Sequence, residues 1–227
     1  MICSYVLTTR IMIMEPRHIL GIILLLIQAS IIVPLILELR TTRSSSGISI
    51  LSETAWIIAG AGWSLYGYLT GSSTLIISGA LATVGSALVY YLVYTDVDNP
   101  TKQRSLILSI VFTIIMLLST MIFHAAGLAI FLSIFGLIQF IPQMITSLKS
   151  IKHEDGHGIP LIGTGLRSLY TLSWAIYAGA WFIWGMSLNE IDYPLAVWGA
   201  TGFVAFSLQF IAGFIVQNNK TKLVNNS

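Results

Sequence analysis

Seven apolar stretches, each close to the length of a bilayer crossing, dominate this chain and leave little room for any fold built in water. They run over residues 18–39, 50–69, 74–94, 105–123, 128–148, 160–184 and 193–216. About 20 apolar residues of helix cross a hydrocarbon core. The breaks at 40–47, 70–73, 95–104, 124–127, 149–158 and 185–192 hold most of the charge. Of the 227 residues 56% are hydrophobic and only 9% charged, against about 25% charged in a soluble domain. One aqueous core cannot hide that much apolar surface, so lipid is the expected solvent. The stretches lack the two-residue alternation of a membrane barrel, and a spanning backbone must satisfy its own hydrogen bonds, so each is expected to be a helix. A net charge of +2 with no basic run excludes nucleic acid as a partner. The single cysteine, Cys3, excludes an intramolecular disulfide and a cysteine-based zinc cluster. There is no phosphate-binding glycine loop, nucleotide fingerprint or G-x-S-x-G elbow, so neither a cofactor nor an enzymatic reaction is expected. Residues 1–17 read as a short tail or an upstream start. They do not read as a cleaved signal peptide, because the small-residue cleavage site is missing.

A pattern occurs twice. Pro34 leads to Gly47-Ile48 and then to Trp63-x-x-Tyr66; Pro142 leads to Gly158-Ile159 and then to Trp174-x-x-Tyr177. The spacing from Gly to Trp is 16 residues in both copies. The expected fold is therefore an all-α membrane protein of seven transmembrane helices in 3+1+3 order. After the tail come a first three-helix repeat (18–98), a linker helix (99–125), a second three-helix repeat (126–217) and a carboxyl-terminal tail (218–227). A three-helix unit reverses direction, so one extra crossing returns the second unit to the orientation of the first and makes the repeats parallel. Loop charge sets the topology. With the amino terminus outside, Arg40, Arg43, Lys102, Arg104, Lys149, Lys152, Lys220 and Lys222 fall on the cytoplasmic side. Only Arg10 and Arg17 fall outside, beside Glu15, Glu190 and Asp192. The expected partners are the bilayer and a small solute, and the sequence is compatible with a homo-oligomer.

The tripeptide Ile141-Pro142-Gln143, with Gly158-Ile159 and Trp174-x-x-Tyr177 downstream, resembles the PQ-loop superfamily, whose best-described members are the SWEET sugar transporters. The first copy reads Val33-Pro34-Leu35 and lacks the glutamine, but its Arg40-Thr41-Thr42-Arg43-Ser44-Ser45-Ser46-Gly47-Ile48-Ser49 is similar to that family's basic, serine-rich loop. The resemblance covers about 18–217. It implies a carrier for sugars, amino acids or other small solutes, working by alternating access, with Pro34, Pro142 and Gln143 at the hinge or gate. It also implies that Trp63 and Trp174 stack on the solute. The family's solute-binding asparagines fall on Gly79 and Gly199, so both are replaced here. Ser78 and Trp198 share their turns, and Tyr66 and Tyr177 complete the expected lining.

Two charges lie within apolar stretches, where charge is costly and usually meets a cavity or a partner. Glu53 follows Gly47 in the second stretch and Arg167 follows Gly158 in the sixth. They read either as a structural pair, or as an anion anchor with its counter-ion or proton carrier. The run Arg167-Ser168-Leu169-Tyr170 also resembles the sixth helix of the superfamily's cargo-receptor branch, which implies the alternative of a receptor that does not transport. His153-Glu154-Asp155-Gly156-His157 spells H-E-x-x-H, but Gly156, Gly158 and Pro160 oppose the helix that such a zinc site needs, so the stretch reads as a polar loop. His18 and His124 read as interfacial residues. Gln28, Gln139 and Gln209 read as amides bridging helices, with Gln139 the nearest to the pathway.

Overall fold

The computed structural model describes residues 16–42, 50–95, 97–153, 165–186 and 192–225. These residues form six helices: α1 (Pro16–Thr42), α2 (Ile50–Thr70), α3 (Ser73–Tyr94), α4 (Asn99–His153), α5 (Gly165–Met186) and α6 (Tyr193–Asn225). The fold is all-α. Four of the helices contain segments long and apolar enough to cross a membrane: Ile19–Leu37, Ser73–Tyr94, Asn99–Phe140 and Tyr193–Ala212. This is the makeup of a multi-pass membrane protein. Helices α2 and α5 fall outside that group. In α2 the reason is visible: Glu53, Thr54, Gly60, Gly62 and Gly67 are buried within the protein and dilute its apolar character.

Helix α4 is not one rod. His124 has φ 52 and ψ −136 and interrupts the helix. The chain folds back there. A Cβ on Gly127 would run into the Ser119 carbonyl, eight residues earlier, whereas an unbroken helix would hold those residues about 12 Å apart. The rings of Phe112 and Phe135 lie 4.7 Å apart, at a separation that a straight helix would stretch to about 35 Å. The break thus falls inside the polar interval expected at 124–127.

The surface is apolar as well as the core. In the first stretch of α4, only Ser105 and Met116 are buried between residues 99 and 123. Leu106, Ile107, Met121 and Ile122 are among the large side chains left outside. An exposed apolar face of that extent marks a surface made for lipid or for a partner.

Two tight hairpins carry the centre. At the α2–α3 turn, Gly67 O accepts from Ser72 N at 2.7 Å, Gly71 takes φ 73, and Ser72 caps α3 by accepting from Leu75 N at 3.4 Å. At the α5–α6 turn, Gly185 O accepts from Asp192 N at 3.1 Å, and Asp192 Oδ1 caps α6 by accepting from Leu195 N at 3.2 Å. Helix α1 packs on α3 and α5, and α4 packs on α2 and α6. Helix α1 remains a single helix across Pro34. Pro142 and Gln143 lie within α4, but their side chains are outside the described residues, as is the 154–164 segment that holds most of the H-E-x-x-H stretch.

Candidate functional site

Glycines let the hairpin helices approach until their backbones touch. A Cβ on Gly79 would sit 2.6 Å from Ser64 Oγ and closer still to the backbones of Gly60 and Ser64. A Cβ on Gly199 would sit 2.8 Å from Ala178 O and closer to Phe182 N. These are the two positions where the resemblance sets asparagine. Helix crossing explains the glycines: at each, any side chain would push the hairpin apart. Gly79 also lines the central cavity; Gly199 does not and is a packing residue only.

The hairpin contacts give a repeat register that the motif spacing hides. A Cβ on Gly67 would meet Leu75 and Ile76 as one on Gly185, 118 residues later, would meet Leu195 and Ala196, and Gly60 with Gly79 matches Ala178 with Gly199. At an offset of 118 the partner of Trp174 is Trp56, and the partner of Trp63 is Trp181. The motif pairs Trp63 with Trp174 instead, two helical turns away. That count runs through 154–164, where the second copy is longer. Both helices carry the spacing Trp-x6-Trp, over Trp56–Trp63 and Trp174–Trp181, and that signal gives the register directly. On the same register Thr171 takes the place of Glu53.

Between the two hairpins lies a small cavity. Helices α1, α2, α3, α5 and α6 all contribute to its wall. Five tryptophans line it: Trp56, Trp63, Trp174, Trp181 and Trp198. The Trp56 and Trp174 rings meet at 4.8 Å, and Trp198 reaches both Trp56 at 6.0 Å and Trp63 at 6.2 Å. Among the described residues no charged side chain lines the cavity.

Its polar groups are gathered in one cluster. Gln28 Nε2 donates to Ser78 O at 2.7 Å. A carbonyl can only accept, so this bond fixes the amide and turns Gln28 Oε1 toward two hydroxyls. Ser78 Oγ and Tyr177 OH each lie 2.6 Å from Gln28 Oε1 and 2.8 Å from one another. The three residues come from α1, α3 and α5 and are all buried. The opposite wall has no such cluster. With Gly136 matched to Gln28 through the two prolines, the equivalent residues are Gly136, Trp198 and Ala59. A Cβ on Gly136 would lie 2.9 Å from the Trp198 ring, which fills the space that Gln28 and Tyr177 fill on the other side.

Of the residues expected from the sequence, the cavity brings together Trp63, Trp174, Ser78, Gly79, Trp198 and Tyr177. Tyr66 is elsewhere: its hydroxyl donates to Asp192 Oδ2 at 3.4 Å and ties the end of α2 to the start of α6. Burial raises the Asp192 carboxyl above the usual range, opposed by its bonds from Leu195 N–H and Tyr66. Glu53 is buried but does not line the cavity; its carboxyl meets the Ser86 hydroxyl of α3. The expected meeting of Glu53 with Arg167 rests on an Arg167 side chain outside the described residues. Gln28, rather than Gln139, reaches the cavity. Gln139 and Gln209 have no amide partner among the described residues, nor does Trp198 Nε1. A scan of protein-family models and a search of curated proteins both find no match for this chain.

Proposed function

We propose that this protein is a membrane carrier of PQ-loop type, which moves a small solute through the tryptophan-lined cavity by alternating access. The observation that carries this reading is a central cavity walled by two helical hairpins of matching packing, with aromatic faces and a compact hydrogen-bonding cluster. Such a site binds without covalent chemistry. A carrier needs only two access states a few kcal/mol apart.

The 3+1+3 arrangement follows from treating the two stretches of α4 as separate crossings. Then α1, α2 and α3 form one repeat, the first stretch of α4 is the linker, and its second stretch forms the other repeat with α5 and α6. Two observations support this. Asn99–Phe140 is 42 residues of apolar helix, about twice what one crossing uses. Exchanging the halves also preserves the neighbours. Helix α1 packs on α3 and α5; the second stretch of α4 touches α6 through Gly136–Trp198 and α2 through Gly62–Leu132. Basic loop residues favour the amino terminus outside and the carboxyl terminus in the cytoplasm. Pro34 and Pro142 then lie toward the cytoplasmic ends of equivalent helices, where each frees a backbone carbonyl and allows a bend.

Solute counterflow into proteoliposomes tests this reading. Saturable exchange of a preloaded neutral solute, lost when a large residue blocks the cavity as in Ala82→Trp, is the expected result. A correctly folded protein that catalyses no exchange across a panel of sugars, amino acids, amines and neutral aromatics would refute it.

A further inference from the structure

The cavity's polar and aromatic walls differ, and that asymmetry carries information about what fits. The cluster of Gln28, Ser78 and Tyr177 is short of protons. Two hydroxyl hydrogens serve three oxygen–oxygen edges of 2.6, 2.6 and 2.8 Å. One edge always sets lone pair against lone pair, so the cluster has acceptor capacity to spare for an incoming N–H or O–H. The buried Nε1–H of Trp198, a residue of the same wall, has no partner among the described residues and asks for an acceptor. The Tyr177 and Trp198 rings pack edge to face with centroids 6.3 Å apart, which sets the cluster and the indole in one part of the wall. Elsewhere the wall is aromatic or aliphatic: Trp56, Trp63, Trp174, Trp181, Leu75 and Leu195. Aromatic faces of this kind suit a flat apolar body. With no charge in the wall among the described residues, an ion would enter at a heavy desolvation cost. A polyol would fare poorly too, since its ring of hydroxyls would meet indole and leucine on most sides.

We propose that the cavity selects a neutral, flat, mostly apolar solute with one terminal group that both donates and accepts hydrogen bonds, such as a primary carboxamide or a hydroxymethyl group. This rests on the reading of the cavity as a solute site. It commits to a class in which the donor goes to the Gln28–Ser78–Tyr177 oxygens and the acceptor takes the Trp198 N–H. Gln28 and Tyr177 are then specificity-determining residues. The replacement of the family's asparagines by packing glycines has a counterpart in this cluster, which moves the hydrogen-bonding function onto α1 and α5.

The test is equilibrium dialysis of labelled benzamide against the full-length protein in lipid nanodiscs. Benzyl alcohol, sodium benzoate and glucose serve as competitors. Saturable benzamide binding, displaced by benzyl alcohol but not by equal concentrations of benzoate or glucose, is expected. Tyr177→Phe removes one oxygen and keeps the ring, and should weaken benzamide about tenfold, the effect of one hydrogen bond in a dry site. Ser78→Ala should do likewise, and Tyr66→Phe, which lies off the cavity, should leave binding unchanged. The proposal is overturned by absent benzamide binding, by equal competition from glucose, or by binding unmoved in both the Tyr177 and Ser78 variants. Counterflow in liposomes separates the two claims: binding without exchange keeps the solute class and sinks the carrier, and glucose exchange without benzamide binding does the reverse.

Discussion

Gly79→Ala tests whether the central hairpin is as tight as its geometry requires. A methyl group at that position would come within 2.6 Å of Ser64 Oγ and closer to two backbone segments of α2, where ordinary contact is 3.4–4 Å. Backbone cannot rotate away as a side chain does, so the helices must part by roughly 1 Å. Overpacking of this kind costs about 1–3 kcal/mol, and a rigid backbone on the far side puts this site near 3. Alanine returns up to about 1 kcal/mol through its better helix propensity. The net loss is about 2 kcal/mol, or roughly 4–8 °C in melting temperature for a chain of this size. Gly85→Ala in the same helix is the control. There the new methyl meets only the flexible tip of Ile32, at 3.1 Å, so the propensity gain prevails and the melting point should hold or rise by up to about 4 °C. Detergent-solubilised protein, followed by the temperature at which the monodisperse peak is lost, gives both numbers. Equal shifts in the two variants would refute the reasoning, since the argument depends on what the methyl meets and not on the loss of a glycine.

Three further outcomes are expected. His124→Gly should stabilise the protein by about 1–3 kcal/mol, because φ 52 with ψ −136 strains any residue with a Cβ; a lower melting point would show that the imidazole contributes more than the strain costs. Thr54→Val leaves the Ser105 hydroxyl without its 2.5 Å partner, at a cost of about 1–3 kcal/mol, and adding Ser105→Ala should restore part of that; a simply additive double variant contradicts the pairing. Asp192 titrates above the usual carboxyl range because burial favours its neutral form. The folded state therefore holds this proton more tightly than the unfolded state, and its contribution to stability falls as pH rises from the unfolded value near 3.9 through the folded one. Asp192→Asn should flatten that part of the stability–pH curve, and an unchanged slope contradicts the assignment.

Helix content and the apolar segments were legible because they depend on composition over windows of about 20 residues, where single errors average out. The break at His124 was legible for a local reason: His124-Ala125-Ala126-Gly127 interrupts two long apolar runs. Helices α2 and α5 were harder. The inward face of α2 holds small and polar residues and that of α5 tryptophan and tyrosine, which serve packing and the cavity.

The site was legible in its residue types and not in its register. The motif tryptophans, Ser78 and Tyr177 all lie in the cavity wall, yet equating Trp63 with Trp174 mixes two depths separated by seven residues. At a rise of about 1.5 Å per residue that is roughly 10 Å along the helix, enough to move a side chain two turns along the cavity wall. The error entered through a loop, where sequence spacing carries no fixed distance. It is corrected within helices, where spacing does. Gln28 was hidden for a different reason. A buried amide in an apolar helix has many uses, and only its 2.7 Å bond to Ser78 O decides which end of the amide faces the hydroxyls. A sequence can nominate a polar residue in a membrane helix. Its orientation belongs to the packed neighbours, and here those neighbours differ between the two hairpins. That difference gives the two walls of the cavity unlike surfaces.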